Sequence, residues 1–346
     1  MNLTFFTSPD YFVIKGISVA PELQFPIFLL VLLIYVMTLG GNMTILLLVS
    51  IHHHLHTPMY FFLSNLSVVD ITSATVTLHK ILFTFITGNR RMAFIPCVAQ
   101  MYVFISLVCV ELMLLTTMSY DRYMAICNPL HYHLTMNQVV CALLAMFCWV
   151  LSFLEIIPHL LVISSFTCFT SNEINHFFCD IMLLVKLSCS NTSIINLLIF
   201  TYALVLSTCP LLLTIVPYGF ILHAVMRITS SSGRRKAFYT CSSHLTVVFL
   251  LYLTLAIQYL RPNSIDNLNF NKLFSMLNTA AVPILNPLIY SLKNEDVKSA
   301  LKQGFKSAAE SMRVSSGGGE GGWTWQGGGA HGSASDVMEE RAGMAS

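Results

Sequence analysis

Residues 118–127 read Met-Ser-Tyr-Asp-Arg-Tyr-Met-Ala-Ile-Cys, and this stretch is the most informative part of the sequence about the fold. Its adjacent acid and base, Asp121 and Arg122, stand at the end of an apolar run that begins near residue 97. Charged side chains are costly inside a bilayer, and membrane helices rarely carry them without a partner or a function. The stretch therefore predicts the end of a membrane helix, where an ion pair reaches the water.

Composition places the rest of the chain in a membrane as well. Of its 346 residues, 55% are hydrophobic and 10% are charged, against roughly 45–50% and 25% in a typical soluble domain. The formal net charge of +2 is too small to indicate a nucleic-acid partner. Residues 1–20 lack a basic start, an apolar centre and a small-residue cleavage site, so we expect the first membrane segment to insert uncleaved.

Seven apolar runs are long enough to cross about 30 Å of hydrocarbon, which takes about 20 helical residues each. These first to seventh spans lie near residues 24–50, 59–82, 97–120, 139–163, 196–226, 238–260 and 272–292. The predicted fold is all-α, a seven-helix transmembrane bundle over residues 24–292. We expect an N-terminal segment at 1–23, a short amphipathic helix within 293–314 and a disordered Gly/Ser-rich tail at 315–346.

The basic residues predict an extracellular N-terminus. With this orientation, 11 of the 18 Lys and Arg residues fall on the inner side, and the compact group Arg234-Arg235-Lys236 sharpens the bias. Two sequons for glycosylation, at Asn2 and Asn191, then lie outside, and Asn2 is the favoured one. The lipid bilayer, which the seven spans require, is one predicted partner of the chain.

Four of the ten cysteines lie on the outer side, where disulfides persist. Cys97 opens the third span, whereas Cys168, Cys179 and Cys189 lie in the loop between the fourth and fifth spans. Spacing alone leaves three pairings open. The other six cysteines lie in or at the inner ends of apolar runs, where a thiol simply packs.

Six motifs in order resemble those of the rhodopsin-like (class A) G-protein-coupled receptors and, within them, the olfactory receptors of the tetrapod type (class II). The motifs are Gly41-Asn42, Leu55 to Tyr60 (LHTPMY), Met118 to Cys127, Ile174 to Asp180 (INHFFCD), Lys236 to Leu245 (KAFYTCSSHL) and Pro283 to Leu292 (PILNPLIYSL). The resemblance covers residues 1 to about 310. It implies a receptor and not an enzyme, and no nucleophile, base and orienting residue converge in the spans.

The resemblance also implies two disulfides, Cys97–Cys179 and Cys168–Cys189. The first would tie the third span to the loop between the fourth and fifth spans and hold that loop over the bundle mouth. Cys97 and Arg122 are 25 residues apart, which at ~1.5 Å per residue makes about 37 Å. The third span is therefore expected to cross the whole bilayer.

Two acids, Asp70 and Glu111, lie inside the second and third spans. An unpaired carboxylate in hydrocarbon costs at least ~2.5 kcal/mol, so each must find a cation, water or a proton in the bundle interior. Structural hydrogen bonding is one interpretation. The favoured one is a polar core with Asn42 and Asn286, which in the resembled family is a sodium and water site. For Glu155 two interpretations stay open, a protonated carboxyl or a position near the outer boundary.

The outer half of the bundle is the expected ligand site, because helices leave a concave apolar cavity there. Helical spacing and the family's motif positions predict a wall of Phe104, Ile105, Val108, Cys109, Leu112, Tyr202, Leu206, Leu255, Ala256, Tyr259, Met276 and Thr279. Phe104 stands where amine receptors have an aspartate, and no other strong charge is expected in the wall. We predict a small, largely apolar ligand that receives one or two hydrogen bonds from Tyr202, Tyr259 or Thr279. Helix packing alone is the competing interpretation of this stripe.

The resemblance assigns activation and G-protein coupling to the inner half, at Asp121, Arg122, Tyr123, Tyr218, His244, Asn286, Pro287 and Tyr290. Asp121 and Arg122 would pair at rest, and the guanidinium would then turn to a partner, to Tyr218 or to Tyr290. Pro287 lacks an N–H, which makes residues 286–290 a hinge candidate. A plain interfacial anchor is the alternative role for Arg122.

These patterns together predict an odorant receptor that activates a heterotrimeric G protein of the stimulatory olfactory type and raises cAMP. The resemblance implies the plasma membrane of olfactory cilia. A class A receptor for a non-odorant lipid or metabolite shares the same switch residues and stays open as the alternative. The histidines at 52–54 and 56 have no cysteine or carboxylate beside them, which argues against a metal site. The sequence does not fix the oligomeric state.

Overall fold

The computed structural model describes residues 6–7, 10–16, 21–227, 230–259, 272, 275–293 and 297–302. Residues 1–301 form one compact unit, and all the elements below belong to it. Residues 302–346 form a second unit, of which only Lys302 is described. The predictions for Asn2 and for the tail at 315–346 therefore lie outside the described residues.

Helices form wherever the sequence has its long apolar runs. In chain order the helices are α1 (Pro21–Ile51), α2 (Pro58–Thr87), α3 (Phe94–Cys127), α4 (Tyr132–Thr135), α5 (Gln138–Glu155), α6 (Ile157–Ser164), α7 (Ile181–Leu187), α8 (Ser193–Met226), α9 (Ser231–Tyr259) and α10 (Val282–Lys293). Five helical segments within the described residues are long and apolar enough to cross a bilayer, and they correspond to the first five spans. Two shorter apolar segments, Cys241–Ile257 and Thr279–Ile289, lie in the sixth and seventh spans.

The fourth span breaks into α5 and α6, although the sequence predicts one run at 139–163. Pro158 stands in the first turn of α6, where its missing N–H cannot continue the hydrogen-bond ladder of α5. The seventh span is also irregular, because a π-helical segment at Leu277–Ala281 precedes α10. Both irregularities lie in helices that carry candidate site residues.

The third span lies at the centre of the bundle. In its most apolar window 61% of the residues are buried, against 11% in α1, which turns most of its surface to the surroundings. The first and seventh spans approach closely at Gly41, where an added Cβ would lie 3.0 Å from Cγ of Pro287. A side chain at this position would push the two helices apart, which explains the glycine beside Asn42.

Short strands join the N-terminal segment to two loops, a feature that the sequence did not predict. The central strand β2 (Tyr11–Ile14) pairs antiparallel with β3 (Arg91–Ala93) and parallel with β5 (Glu173–Ile174). A second pair joins β1 (Phe6–Thr7) to β4 (Cys168–Phe169). The N-terminal segment therefore lies at the same end of the bundle as the loops that follow the second and fourth spans, and we call this the outer end.

The predicted amphipathic helix is described only at residues 297–302, which are helical. Its apolar face was expected to lie along the membrane. Instead Val297 and Ala300 are buried in the main hydrophobic cluster of the bundle, and Leu301 packs against the same cluster. Burial against other apolar side chains removes this surface from both water and lipid, so this turn completes the inner end of the core. Phe305 lies outside the described residues.

Candidate functional site

Two disulfides constrain the second outer loop, residues 165–192, one joining it to the third span and one closing the loop on itself. Cys97 is bonded to Cys179 and Cys168 to Cys189, the pairing that the resemblance implies. Gln100 reinforces the first bond, because its Oε1 accepts from the backbone N–H of Cys179 at 3.1 Å and its Nε2 donates to the carbonyl of Val76 at 2.7 Å. The loop is thus anchored to both the second and third spans.

The loop inserts two buried aromatic rings into the bundle mouth. The Phe178 ring lies 5.0 Å from the ring of Phe104, and the Phe177 ring meets that of Phe178 edge to face at 5.1 Å between centroids. His176 contacts both rings and is buried. Burial and the nearby charge of Lys272 lower the pKa of His176 to about 3, so the imidazole is neutral at physiological pH. Its Nδ1 accepts a long contact of 3.5 Å from the N–H of Phe178, which a protonated ring could not do.

We call Phe177 and Phe178 the phenylalanine plug, and the helix α7 continues the loop beyond it. Asp180 caps its first turn, since Oδ1 accepts from the N–H groups of Met182 and Leu183 at 2.9 and 3.4 Å. Burial raises the pKa of the Asp180 carboxyl, and the two backbone donors partly oppose that rise. The cap holds the chain direction immediately after Cys179.

The predicted ligand wall divides into three groups. Phe104, Ile105, Val108 and Met276 belong to one hydrophobic cluster around the phenylalanine plug, whereas Leu112 and Leu255 belong to the main core. Cys109 and Tyr202 contact each other, with Sγ and the hydroxyl 3.4 Å apart. The side chains of Leu206 and Tyr259 lie outside the described residues, and Ala256 is half-buried. Thr279 is buried and donates its hydroxyl to the carbonyl of Ser275 at 2.8 Å.

The group of Cys109 and Tyr202 also contains an acidic side chain that the sequence patterns did not place there. The hydroxyl of Tyr202 donates to Oε2 of Glu155 at 3.2 Å. Glu155 ends α5 immediately before the break in the fourth span, and the break lets the following turn carry His159 to the same tyrosine, with ring centroids 4.8 Å apart. The apolar stretches on both sides of this single-residue break contain no pattern that predicts the contact of Glu155 and His159 with Tyr202.

The polar core forms with Asn286 at its centre. The Nδ2 of Asn286 lies 3.1 and 3.0 Å from the two carboxyl oxygens of Asp70 and 3.3 Å from Oε1 of Glu111. Two carboxyl groups that share one amide donor in a buried site cannot both be charged without a counter-ion. Asn42 contributes differently, since its Nδ2 donates to the carbonyls of Thr38 and Pro283 and its buried Oδ1 has no hydrogen-bond partner among the described residues.

At the inner end of the third span, Asp121 holds two partners. Arg122 Nη2 donates to Oδ2 at 2.9 Å, and the hydroxyl of Tyr132 donates to Oδ1 at 2.8 Å. Sequence reasoning missed Tyr132, which reaches Asp121 only because the short helical turns at 129–135 fold back under α3. Burial and the charge of Asp121 raise the pKa of Tyr132. The Nε of Arg122 is buried and has no acceptor among the described residues. The guanidinium group therefore keeps one unused N–H donor beside its contact with Asp121.

The fifth and sixth spans meet through a second polar contact. The hydroxyl of Tyr218 lies 2.9 Å from Nδ1 of His244, and Nε2 of His244 lies 3.0 Å from the carbonyl of Leu115 in the third span. Tyr218 was expected as an alternative partner of Arg122, but here His244 engages its hydroxyl. Tyr123 packs against Phe220, and the side chain of Tyr290 lies outside the described residues.

A cavity of about 610 Å³ opens at the inner end, between the short helical turns after the third span and the start of α2. Its lining includes Leu55, Phe61, Tyr132 and Met136. Among the described residues that line this cavity, none belongs to the predicted ligand wall. The exposed side chains of Arg227, Arg234 and Arg235 also lie in the segment between the fifth and sixth spans.

Apolar helices around a central third span, a disulfide-anchored outer loop, a buried carboxyl and amide core and an acid–arginine pair at the inner end define a G-protein-coupled receptor. A family model described as "Olfactory receptor" matches residues 31–307. The chain is 44% identical over 307 residues to human Olfactory receptor 6B3, and the matched region covers 88% of this chain and 93% of that protein. It is 42% identical to human Olfactory receptor 8D1 over 88% of this chain and 98% of that protein. Mouse Olfactory receptor 5G9 is 44% identical over 86% of this chain and 94% of that protein.

The chain therefore belongs to the olfactory receptor family. This membership confirms the seven-transmembrane bundle and an odorant-sensing receptor that couples to G proteins. It also establishes a multi-pass membrane protein that is not an enzyme.

Proposed function

We propose that this receptor binds a small, largely apolar odorant in the outer half of the bundle and activates a stimulatory, olfactory-type G protein that raises cAMP. The observation that carries the proposal is the course of α3, which contains both the wall from Phe104 to Leu112 and the pair Asp121–Arg122. Phe104 and Arg122 are 18 residues apart, or about 27 Å along the helix. One continuous helix can therefore transmit a shift at the outer wall to the inner surface.

The inner contacts support a switch at this end. Asp121 is held by Arg122 and Tyr132, and Tyr218 is held by His244, so the resting state depends on a few reversible hydrogen bonds. A ligand changes such an equilibrium only by its differential affinity for the two states, and a shift from 1:99 to 99:1 requires about 5.5 kcal/mol. Release of Arg122, with the exposed Arg227, Arg234 and Arg235 nearby in sequence, would present a basic surface to the G protein.

A sodium ion in the polar core belongs to the same proposal. The available donors are oxygens, as a hard cation requires: the carboxyls of Asp70 and Glu111, and the buried Oδ1 of Asn42 and Oγ of Ser67, which have no partner among the described residues. A cation would supply the positive charge that lets both carboxyls ionise. Asn286, already bonded to both acids, would hold them in place.

We also propose delivery to the plasma membrane of olfactory cilia, with sugar on Asn2 and Asn191. Asn191 is exposed in the second outer loop, where its Oδ1 accepts from the N–H of Ser193 at 2.9 Å. Exposure at the outer end meets the steric requirement for glycosylation. A mobility shift on glycosidase treatment, lost stepwise in Asn2→Gln and Asn191→Gln receptors, would test both sites.

A cAMP assay in cells that express the full chain tests the function directly. A chemically broad odorant panel should raise cAMP in the wild type, and Arg122→Ala should abolish the response at equal surface expression. Arg90→Ala is the matched control, because it removes an exposed arginine from the loop after the second span, at the outer end, and should leave the response unchanged. Response only to lipids or metabolites, at full surface expression, would contradict the odorant function.

A further inference from the structure

Four polar or polarisable side chains from three spans meet in the outer half of the bundle. Tyr202 of α8 is at their centre, with Glu155 at 3.2 Å, Cys109 at 3.4 Å and the His159 ring at 4.8 Å between centroids. His159 is 4% exposed, and neither of its ring nitrogens makes a hydrogen bond of regular geometry among the described residues, although the backbone of Glu155 and Leu198 lies close to the ring. The sequence-based description of the ligand wall used only Cys109 and Tyr202 from this group.

The hydrogen count at Tyr202 determines what the site can recognise. A phenol has one O–H donor, and the hydroxyl of Tyr202 uses it in the hydrogen bond to Oε2 of Glu155. The thiol of Cys109 is then the donor in its contact with the tyrosine oxygen. Tyr202 can therefore only accept a hydrogen bond from a ligand, and the second carboxyl oxygen of Glu155 is a further acceptor.

His159 adds the complementary capacity. A neutral imidazole carries one N–H donor and one nitrogen acceptor, and neither is used in a hydrogen bond of regular geometry among the described residues. A hydroxyl group can donate to the oxygen of Tyr202 or Glu155 and accept from His159 at the same time. A carbonyl or an ether oxygen can only accept, so it would leave the tyrosine and carboxyl oxygens unpaired in an apolar wall.

Helix packing alone does not account for the cluster. Two to three turns further inward, the third and fifth spans are already joined by the contact between the hydroxyls of Thr116 and Thr214 at 3.1 Å and by Ser119, which donates to the Thr214 carbonyl at 2.9 Å. A carboxyl group in a membrane helix is costly unless it has a partner or a function. One tyrosine proton satisfies only part of the acceptor capacity of Glu155.

We propose that Tyr202, Glu155 and His159 form a hydroxyl-recognition site in the ligand wall. It makes the receptor selective for alcohols and phenols over aldehydes, ketones and ethers of the same carbon skeleton. Tyr202 and His159 contact the ligand hydroxyl, and Glu155, whose Oε2 accepts the hydrogen bond of the tyrosine, offers its other carboxyl oxygen to the ligand as a second acceptor. This inference rests on the proposed function, because it requires an odorant bound in the outer half of the bundle.

Matched odorants of one skeleton test the selectivity in the full-length receptor. The probes are 1-octanol, octanal and 1-methoxyheptane, with cyclohexanol, cyclohexanone and methoxycyclohexane as a second set, each titrated in the cAMP assay. We expect the alcohol of at least one set to activate at a concentration about tenfold or more below its carbonyl and ether partners. Equal potency within both sets would overturn the hydroxyl-recognition site while leaving the odorant function intact. No response to these sets or to a broad panel, at full surface expression, would overturn both.

Two nearly isosteric variants test the residues. Tyr202→Phe should raise the half-maximal alcohol concentration about tenfold and change the carbonyl value less than twofold. Glu155→Gln introduces an amide donor, so it should narrow the alcohol preference by improving the carbonyl response. Glu173→Gln, the same change on an exposed loop residue, is the control and should change neither value. A parallel shift for every odorant would indicate a structural role and contradict the proposal, and the wild-type ratio decides even if a variant fails to reach the surface.

Discussion

The two ends of the third span are held in opposite ways. At the outer end Cys97 is covalently bonded to Cys179, and Gln100 adds hydrogen bonds to the loop and to the second span. At the inner end the contacts of Asp121 among the described residues are an ion pair with its neighbour Arg122 and a hydrogen bond from Tyr132. The same helix is thus fixed where the ligand is expected and reversibly held where a G protein would bind.

This difference defines which end can move. Breaking a disulfide requires chemistry, whereas exchange of a charge-assisted hydrogen bond costs only a few kcal/mol and can be repeated. A helix with one fixed end turns a small displacement near its middle into a movement of the other end.

Loss of the outer anchor should have the largest effect. Cys97 and Cys179 are 82 residues apart, for which the chain-entropy model gives about 4–5 kcal/mol of stabilisation, against about 3 kcal/mol for the 21-residue separation of Cys168 and Cys189. The double variant Cys97→Ala/Cys179→Ala should therefore lose more thermal stability in detergent than Cys168→Ala/Cys189→Ala. Equal losses in the two double variants would show that the first bond is not the main anchor.

Acid should loosen the outer plug before it affects the inner end. The pKa of His176 is lowered to about 3 from an ordinary value near 6.5, so its contribution is complete above pH 6.5 and is lost as the pH falls from there toward 3. At pH 5 the loss is about 2 kcal/mol, so the hydrogen-exchange protection factors of residues 173–180, which compare each measured rate with the intrinsic amide rate at the same pH, should be lower than at pH 7.5. His176→Gln, which cannot titrate, should show protection factors that do not change over this range. Wild-type protection factors that are independent of pH would refute the prediction.

Loosening the inner end should change signalling more than stability. Tyr132→Phe removes one hydrogen bond from Asp121, worth about 1 kcal/mol, and should raise ligand-independent cAMP several-fold. Tyr120→Phe is the control, since Tyr120 is 40% exposed on the same helix. Basal activity that is unchanged in Tyr132→Phe, or raised equally in both variants, would remove Tyr132 from the switch.

The smallest effect is expected at the ion pair between Lys15 and Glu173. Their atoms are 2.7 Å apart, but the side chains are 43% and 52% exposed, and exposed pairs contribute at most about 1 kcal/mol. Lys15→Gln should lower the melting temperature by less than about 2 °C, and the difference should vanish at high salt. A larger shift that persists in salt would mean that the pair supports the sheet beyond its charge.

Much of the fold could be predicted because membrane helices leave a strong signal. About 20 apolar residues with few charges predict a span regardless of what surrounds it, which is why α1, α2, α3 and α8 agree with their runs. The strand at Tyr11–Ile14 could not be predicted, because its four residues pair with segments that begin about 80 and 160 positions away. The break at Ile156 also escaped, since Pro158 can begin a helix as readily as kink one.

The candidate site was predicted where a residue acts through its own chemistry. Asp121 beside Arg122, and acids within apolar runs, are visible in sequence because charge in a membrane needs a reason. Partners were less visible. Tyr132 is an ordinary tyrosine until a turn brings it to Asp121, and Glu155 shows its role only when Tyr202 of another span donates to it.

The pairing of Tyr11–Ile14 with Glu173–Ile174 sets an order on biosynthesis. Val13 leaves the ribosome about 160 residues before its partner Glu173, a delay on the order of ten seconds or more at usual translation rates. During that time four spans must insert, and until then the strand Tyr11–Ile14 can pair only with Arg91–Ala93 within this sheet. The small outer sheet can therefore close only after the first half of the receptor is threaded correctly, so its formation marks a completed topology.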